Sequence, residues 1–221
     1  TTSGIRSPGG IGANHLGDMF YCDNQGPWNG SSSLKHLKIG SFQGNPTGNV
    51  HYQLTDAIGP RPEDPKSGSR IVEEAERIPE YVPPACILPH GSMGNSPAGI
   101  ACDQTDGKFG PFKKQLFIAE QTASQVQRVS LEQVNGVYQG ACFPFLSGFK
   151  SGNVAIRFGE DGILFNGGTS RGWGSRGGSN FALERVNWTG EVPFEMLHVS
   201  AKPDGFEITF TQPADVATDP H

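Results

Sequence analysis

The chain has 221 residues, enough for one all-β domain or one and a half ordinary ones. Its 17 basic and 22 acidic residues leave a net charge of −5, which argues against a broad nucleic-acid footprint, and no apolar run approaches the roughly 18–20 residues needed to span a bilayer. Its 31 glycines and 17 prolines follow no Gly-X-Y period and lie between short apolar runs, so they read as turns between many short strands rather than collagen or disorder.

The first unit opens on Ser7-Pro8-Gly9-Gly10-Ile11, and the same stretch returns as Ser96-Pro97-Ala98-Gly99-Ile100. Each copy is followed by an apolar strand that ends in an acid and an amide: Met19-Phe20-Tyr21-Cys22-Asp23-Asn24, then Leu116-Phe117-Ile118-Ala119-Glu120-Gln121. A looser third copy pairs Asn153-Val154-Ala155-Ile156 with Ile163-Leu164-Phe165-Asn166. In the first unit Leu34-Lys35-His36-Leu37-Lys38-Ile39 alternates apolar and polar residues, the period of a half-buried strand. The segment 41–89 is rich in Pro, Gly and charge, and reads as a surface insertion with one short helix over 69–77, limited by Pro79. The second unit continues with the strand Val126-Gln127-Arg128-Val129-Ser130-Leu131. The third turns at Asp161-Gly162, a hairpin signal, and continues with Phe181-Ala182-Leu183-Glu184-Arg185-Val186. Two further strands, 194–199 and 205–210, flank Lys202-Pro203-Asp204-Gly205 as a hairpin, and 214–221 reads as a linker or a cut edge.

Repeated strand units of about 40–50 residues fit β-propeller blades better than an up-and-down barrel. The expected fold is all-β: a partial β-propeller of about three four-stranded blades, near 1–40, 95–135 and 150–190, with an insertion over 41–94. The hairpin and linker over 191–221 close the last unit or begin a β-sandwich domain. Three blades leave an open edge, the chain has no start Met, and 1–6 lack the apolar core of a signal peptide, so a fragment cut at both ends is expected.

With these elements placed, Gly4-Ile5-Arg6-Ser7-Pro8-Gly9-Gly10-Ile11 and Asp23-Asn24-Gln25-Gly26-Pro27 resemble the middle blades of soluble quinoprotein glucose and sorbosone dehydrogenases. Over nearly the whole chain, 89–97, 140–145 and 168–177 resemble large bacterial proteins named membrane-bound dehydrogenases. The first resemblance implies half of a six-bladed propeller that holds pyrroloquinoline quinone (PQQ) and Ca²⁺ on one face. A His base there takes the substrate hydroxyl proton as a hydride passes to the quinone. It implies cofactor contacts at Arg6 and Asn24 and Ca²⁺-binding carbonyls at Gly26 and Pro27. Four positions depart from that pattern: Ser7 replaces an Asn, Thr122 a cofactor-binding Lys, and Ser151 and Asn153 two Arg residues. The catalytic His belongs to an earlier blade.

The residues themselves point to one shared face. If the units align, Asp23-Asn24-Gln25, Glu120-Gln121-Thr122 and Gly168-Thr169-Ser170 leave equivalent strands at the same end. Carboxylates, amides and hydroxyls gathered there suit a hard cation, a sugar or a quinone; the plain alternative is strand-end residues facing water. Asn24, Gln25, Glu120 and Gln121 are therefore candidate cofactor contacts, with Arg6 as a fork for a carboxylate. In the glycine-rich run 171–177, Arg171 offers anion binding and Trp173 a stacking surface, or the Trp packs on the next blade. His90 is a candidate proton acceptor or a hydrogen-bonded loop residue, and His15, His36 and His198 read as surface residues. Cys22, Cys86, Cys102 and Cys142 form no Cys-x-x-Cys pair, which leaves no zinc signature; buried thiols and a Cys86–Cys102 bridge both remain open.

The expected activity of the intact protein is extracytoplasmic (periplasmic or cell-surface) oxidation of a sugar or polyol hydroxyl. Its partners are the remaining blades and a c-type haem domain or other electron acceptor, with no nucleic acid. The alternative is a non-catalytic propeller that binds glycans or proteins.

Overall fold

The computed structural model describes residues 2–215. The first sheet is a four-stranded antiparallel meander of β1 (Pro8–Ala13), β2 (Met19–Asp23), β3 (Ser32–His36) and β4 (Cys86–Leu88). The second sheet repeats it with β5 (Pro97–Cys102), β6 (Leu116–Glu120), β7 (Gln125–Val134) and β8 (Val137–Ser147). The third has three strands, β9 (Asn153–Phe158), β10 (Leu164–Thr169) and β11 (Phe181–Val186). β1 lies against β5 and β5 against β9, so the inner strands line one axis and the sheets form three unclosed blades of a β-propeller.

The second sheet is buried on both faces, which explains its unbroken apolar strand. Leu116 and Ile118 face the first sheet and pack with Phe20, Cys22, Leu34 and Leu88. Phe117 and Ala119 point the other way, into a cluster with Ile156, Leu164 and Phe158 of the third sheet. Successive side chains alternate across a strand, so a strand between two neighbours needs apolar residues at every position.

The 3₁₀ helix Pro46–Leu54 and α1 (Ile71–Arg77) lie in the long segment expected as an insertion between blades. That segment instead leaves from within the first blade, because β4 returns to pair with β3 through Ser33–Ile87 and Leu34–Cys86. The first blade extends well past the expected limit near residue 40. α1 stops before Ile78-Pro79, since a residue ahead of proline is pushed out of the helical region. Phe42, Ile78 and Tyr81 form a small core of their own with Trp28.

Two further differences have clear causes. β3 begins earlier than the alternation predicted, and Lys35, expected in water, is wholly buried because the inserted segment covers that face. β8 was not anticipated, although Asn135-Gly136 between β7 and β8 is a strong hairpin signal; both residues take positive φ, 51° and 77°. The hairpin of β12 (Met196–Lys202) and β13 (Gly205–Phe210) forms its own two-stranded sheet. It does not pair with the third blade among the described residues. It docks on the second blade, where Arg128 donates to the carbonyl of Met196 at 2.8 Å and Gln115 to that of Leu197 at 2.8 Å. The expected linker lies mostly outside the described residues. Of the histidines expected at the surface, His36 is half-buried and packs on Phe20 and Tyr138, whereas His198 is exposed as expected, with its Nδ1 2.6 Å from Ser130 Oγ.

Candidate functional site

The strand registers place three loops at one end of the blades. Pro8 faces Asp23, Pro97 faces Glu120, and Asn153 faces Gly168. Each inner strand begins where the second strand ends, so residues 24–27, 121–124 and 170–178 emerge together.

The acids do not join that face. Asp23 is buried, and its Oδ1 and Oδ2 accept the backbone amides of Ser7 at 2.7 Å and Arg6 at 3.2 Å. Glu120 is also fully buried, and accepts the amides of Asn95 at 3.1 Å, Ser96 at 2.6 Å and Ala123. The acid at the end of each second strand clamps the chain that enters the inner strand. Glu120, expected as a cofactor contact, therefore has a structural role. A buried carboxylate needs such partners, and backbone amides supply them without a cation.

Arg6, Gln25, Gly26 and Pro27 do come together. They line a cleft of about 640 Å³ whose far wall is built by Asn45, Thr47 and His51 of the inserted segment. Arg6 lies across Gly26: a β-carbon at Gly26 would fall 2.9 Å from Arg6 Cδ, so a larger residue there would push the Arg6 side chain aside. Gln25 Oε1 is buried with no hydrogen-bond partner. Among the described residues no group of three or more His, Cys, Asp or Glu side chains could hold a metal. A hard cation is served instead by carbonyl and amide oxygens, and the Gly26-Pro27 backbone beside the orphaned Gln25 Oε1 fits that donor set. Asn24 sits half-buried at the end of β2, outside the lining of this cleft.

The remaining candidates form a second cluster at the same end. Gln121 is buried and donates to the carbonyls of Thr169 at 3.3 Å and Trp173 at 2.8 Å, stapling the glycine-rich loop to the second blade. The Trp173 indole N–H donates to Thr122 Oγ1 at 3.0 Å while the side chain stays 62% exposed, with Arg171 exposed close by in sequence. Ser151 and Asn153 are wholly buried, Ser151 bonded to the carbonyl of Ser179 at 2.7 Å and Asn153 to that of Gln125 at 3.0 Å. Neither reaches the face where the resembling family has arginines. His90 is exposed in the turn before β5 and lines neither group.

His51, Asn45 and Thr47 carry no sequence signal, because only the return of the insertion over the first blade brings them to Arg6. A slightly larger cleft of about 700 Å³ opens at the opposite end of β1, β5 and β9, between Gly12, Ile100 and Arg157. It contains none of the expected residues.

No family model matches the chain, and no curated protein matches it in sequence. Solved structures do. An oxidoreductase assigned as a glucose dehydrogenase from Thermus thermophilus superposes with a TM-score of 0.52 at 19% identity, over 83% of this chain and 46% of its own. The PQQ-bound aldose sugar dehydrogenase of Streptomyces coelicolor gives 0.48 at 19% identity, over 83% and 45%. The holo PQQ domain of a pyranose dehydrogenase from Coprinopsis cinerea gives 0.44 at 15% identity, over 83% and 55%. The first of these establishes the shared propeller fold. The chain spans about half the length of the structures it matches.

Proposed function

We propose that this chain is half of a quinoprotein-type dehydrogenase propeller, and that the cleft beside Arg6 is its share of a site for PQQ and Ca²⁺. One observation carries the reading: Arg6, Gln25, Gly26 and Pro27, singled out by resemblance and spacing, converge on a single cleft with an orphaned oxygen. The Arg6 guanidinium would pair with a carboxylate of the ligand. Gln25 Oε1 and the carbonyls of Gly26 and Pro27 would hold the cation. Bound there, the quinone supplies the hydride acceptor for oxidation of a sugar or polyol hydroxyl. The remaining blades would contribute the proton-accepting His, and a haem domain or another carrier would take the electrons. An extracytoplasmic location accompanies this reading. No helix among the described residues is long and apolar enough to cross a membrane.

Calorimetric titration of the protein with PQQ and Ca²⁺ tests the site, and dye-linked oxidation of aldoses by the intact propeller tests the activity. Absence of both binding and turnover would remove the reading.

A second reading has its own support. Thr122 is occupied by Trp173, and Ser151 and Asn153 are buried, so three of the family's cationic contacts have no counterpart here. A propeller that binds glycans without catalysis would use the exposed Trp173 and Arg171 instead. Glycan binding lost in Trp173→Ala, together with no quinone binding, would favour it.

A further inference from the structure

The two acid clamps differ in one respect. Glu120 is satisfied by backbone amides, whereas Asp23 Oδ2 also accepts from Lys35 Nζ at 3.3 Å, an ion pair with both side chains buried. The Tyr21 hydroxyl joins it at 3.5 Å. Tyr21 faces Lys35 across β2 and β3, and Ile118 faces Gln127 across β6 and β7, so the second blade has Gln127 where the first has Lys35. Gln127 contacts the carbonyl of Met93 at 3.0 Å, and Lys35 donates to that of Gln43 at 2.7 Å.

A lysine here is costly. Burial lowers its pKa, opposed by Asp23, and desolvation of two ions offsets much of their attraction. Stability alone does not call for it, since the second blade closes the same joint with a neutral side chain. The first blade differs in what it carries: Arg6, which leaves the clamped segment across Gly26 into the cleft.

Lys35 also joins both grips on that segment. On one side Asp23 holds the amides of Arg6 and Ser7. On the other, the strip containing Gln43 runs beside Ser3 and Gly4, with Gln43 N to Ser3 O at 2.8 Å and Asn45 N to Gly4 O at 2.9 Å. Through Asp23 and the Gln43 carbonyl, one ammonium ties the two together.

We propose that Lys35 is a positioning residue: with Asp23 it fixes the backbone from which Arg6 reaches a carboxylate-bearing ligand, and so sets affinity for that ligand. This rests on the reading of the cleft as the PQQ site. Residues that act through one another give non-additive effects. Lys35→Gln, which installs the side chain of the second blade, should weaken PQQ binding about tenfold, equivalent to about 1.4 kcal/mol, and should cost nothing further in an Arg6→Ala background. Full binding by Lys35→Gln, or additive losses in the double variant, would overturn the proposal.

Amide hydrogen exchange separates this outcome from failure of the functional reading. If wild-type protein binds no quinone, the functional reading fails, and positioning is still measured at the Arg6 and Ser7 amides. These should exchange about tenfold faster in Lys35→Gln while the β6 amides stay unchanged. Equal exchange at Arg6 and Ser7 would overturn the inference. Should Lys35→Gln alone not fold, Lys35→Met, which removes the ammonium but leaves Asp23 to hold the Arg6 and Ser7 amides, carries the same measurements.

Discussion

Gly10 lies directly against the backbone of Ala98: a β-carbon built on Gly10 would fall 2.2 Å from the Ala98 carbonyl oxygen. Gly99, the same position of the next repeat, meets the Val154 carbonyl oxygen at 2.7 Å in the same way. The repeat is thus a packing rule, in which a glycine lets each inner strand touch the inner strand of the following blade. Because the obstacle is backbone, a side chain there cannot be accommodated by rotamer change. Gly10→Ala should destabilise the protein by about 1–3 kcal/mol, read as a lower urea midpoint. An unchanged midpoint would contradict this packing.

Arg128 holds the β12–β13 hairpin in place. Its guanidinium carbon lies 4.3 Å from the Phe112 ring centre and 4.5 Å from that of Phe143, and it donates to Gln115 Oε1 at 2.6 Å and the Met196 carbonyl at 2.8 Å. Arg128→Ala should cost about 2–3 kcal/mol through lost packing and orphaned acceptors. Chymotrypsin should then cut the hairpin at Phe206 or Phe210 while the blades resist. Equal cleavage of hairpin and blades would mean that Arg128 supports the core and not the docking.

Stability should be greatest between about pH 6.5 and 9. Burial raises the Cys102 thiol from 9.0 to about 11, and raises Cys22, Tyr21 and Tyr81 further. The folded state therefore keeps protons that the unfolded chain releases, and this stability is lost as pH rises above about 9. Burial lowers His36 and His198 from their ordinary 6.5. There the unfolded chain binds more protons, and stability falls as pH drops below about 6.5. Urea midpoints from pH 5 to 11 measure both flanks, and a rising midpoint above pH 9 would contradict the first. The four cysteines are free thiols, and Ellman's reagent at pH 8 should react with all of them only after unfolding.

The third blade presents an uncovered face. Phe165, Leu183 and Phe181 point to the side away from the second blade, and Phe181 and Leu183 are 77% and 78% exposed. This is the side on which a following blade would pack. An apolar face of this kind drives self-association. Sedimentation of the 221-residue chain should show concentration-dependent species, reduced in Phe181→Lys/Leu183→Lys. A monodisperse wild-type monomer would count against an open blade face.

Much of this fold was legible because local chemistry repeats. The two copies of Ser-Pro-x-Gly-Ile, the acid that follows each, and Asp161-Gly162 mark strands and turns through steric and pairing rules that act over a few residues. Alignment of those copies put Asp23, Glu120 and Gly168 at equivalent positions, as the registers do. β4 was not legible: Cys86-Ile87-Leu88 is too short for a period, and only its pairing with β3 makes it a strand. Lys35 misled for a related reason, since alternation marks a face as polar but does not say what covers it.

At the site the division is similar. Arg6 and Gln25 stood out in the sequence as a fork and an amide beside strand ends, whereas Gly26 and Pro27 were singled out only by the family resemblance. Which way Asp23 and Glu120 turn was decided by unpaired backbone amides that exist only once Arg6-Ser7 and Asn95-Ser96 lie beside them. The order of residues was enough to specify the repeat, the strands it generates and the end of the blades at which polar residues collect. That the acids are clamps, that His51 lines the same cleft as Arg6, and that Lys35 is buried against Asp23 emerged only when the chain was folded. Those facts depend on contacts across long stretches of chain, where burial and unsatisfied hydrogen bonds, not local propensity, select the partner.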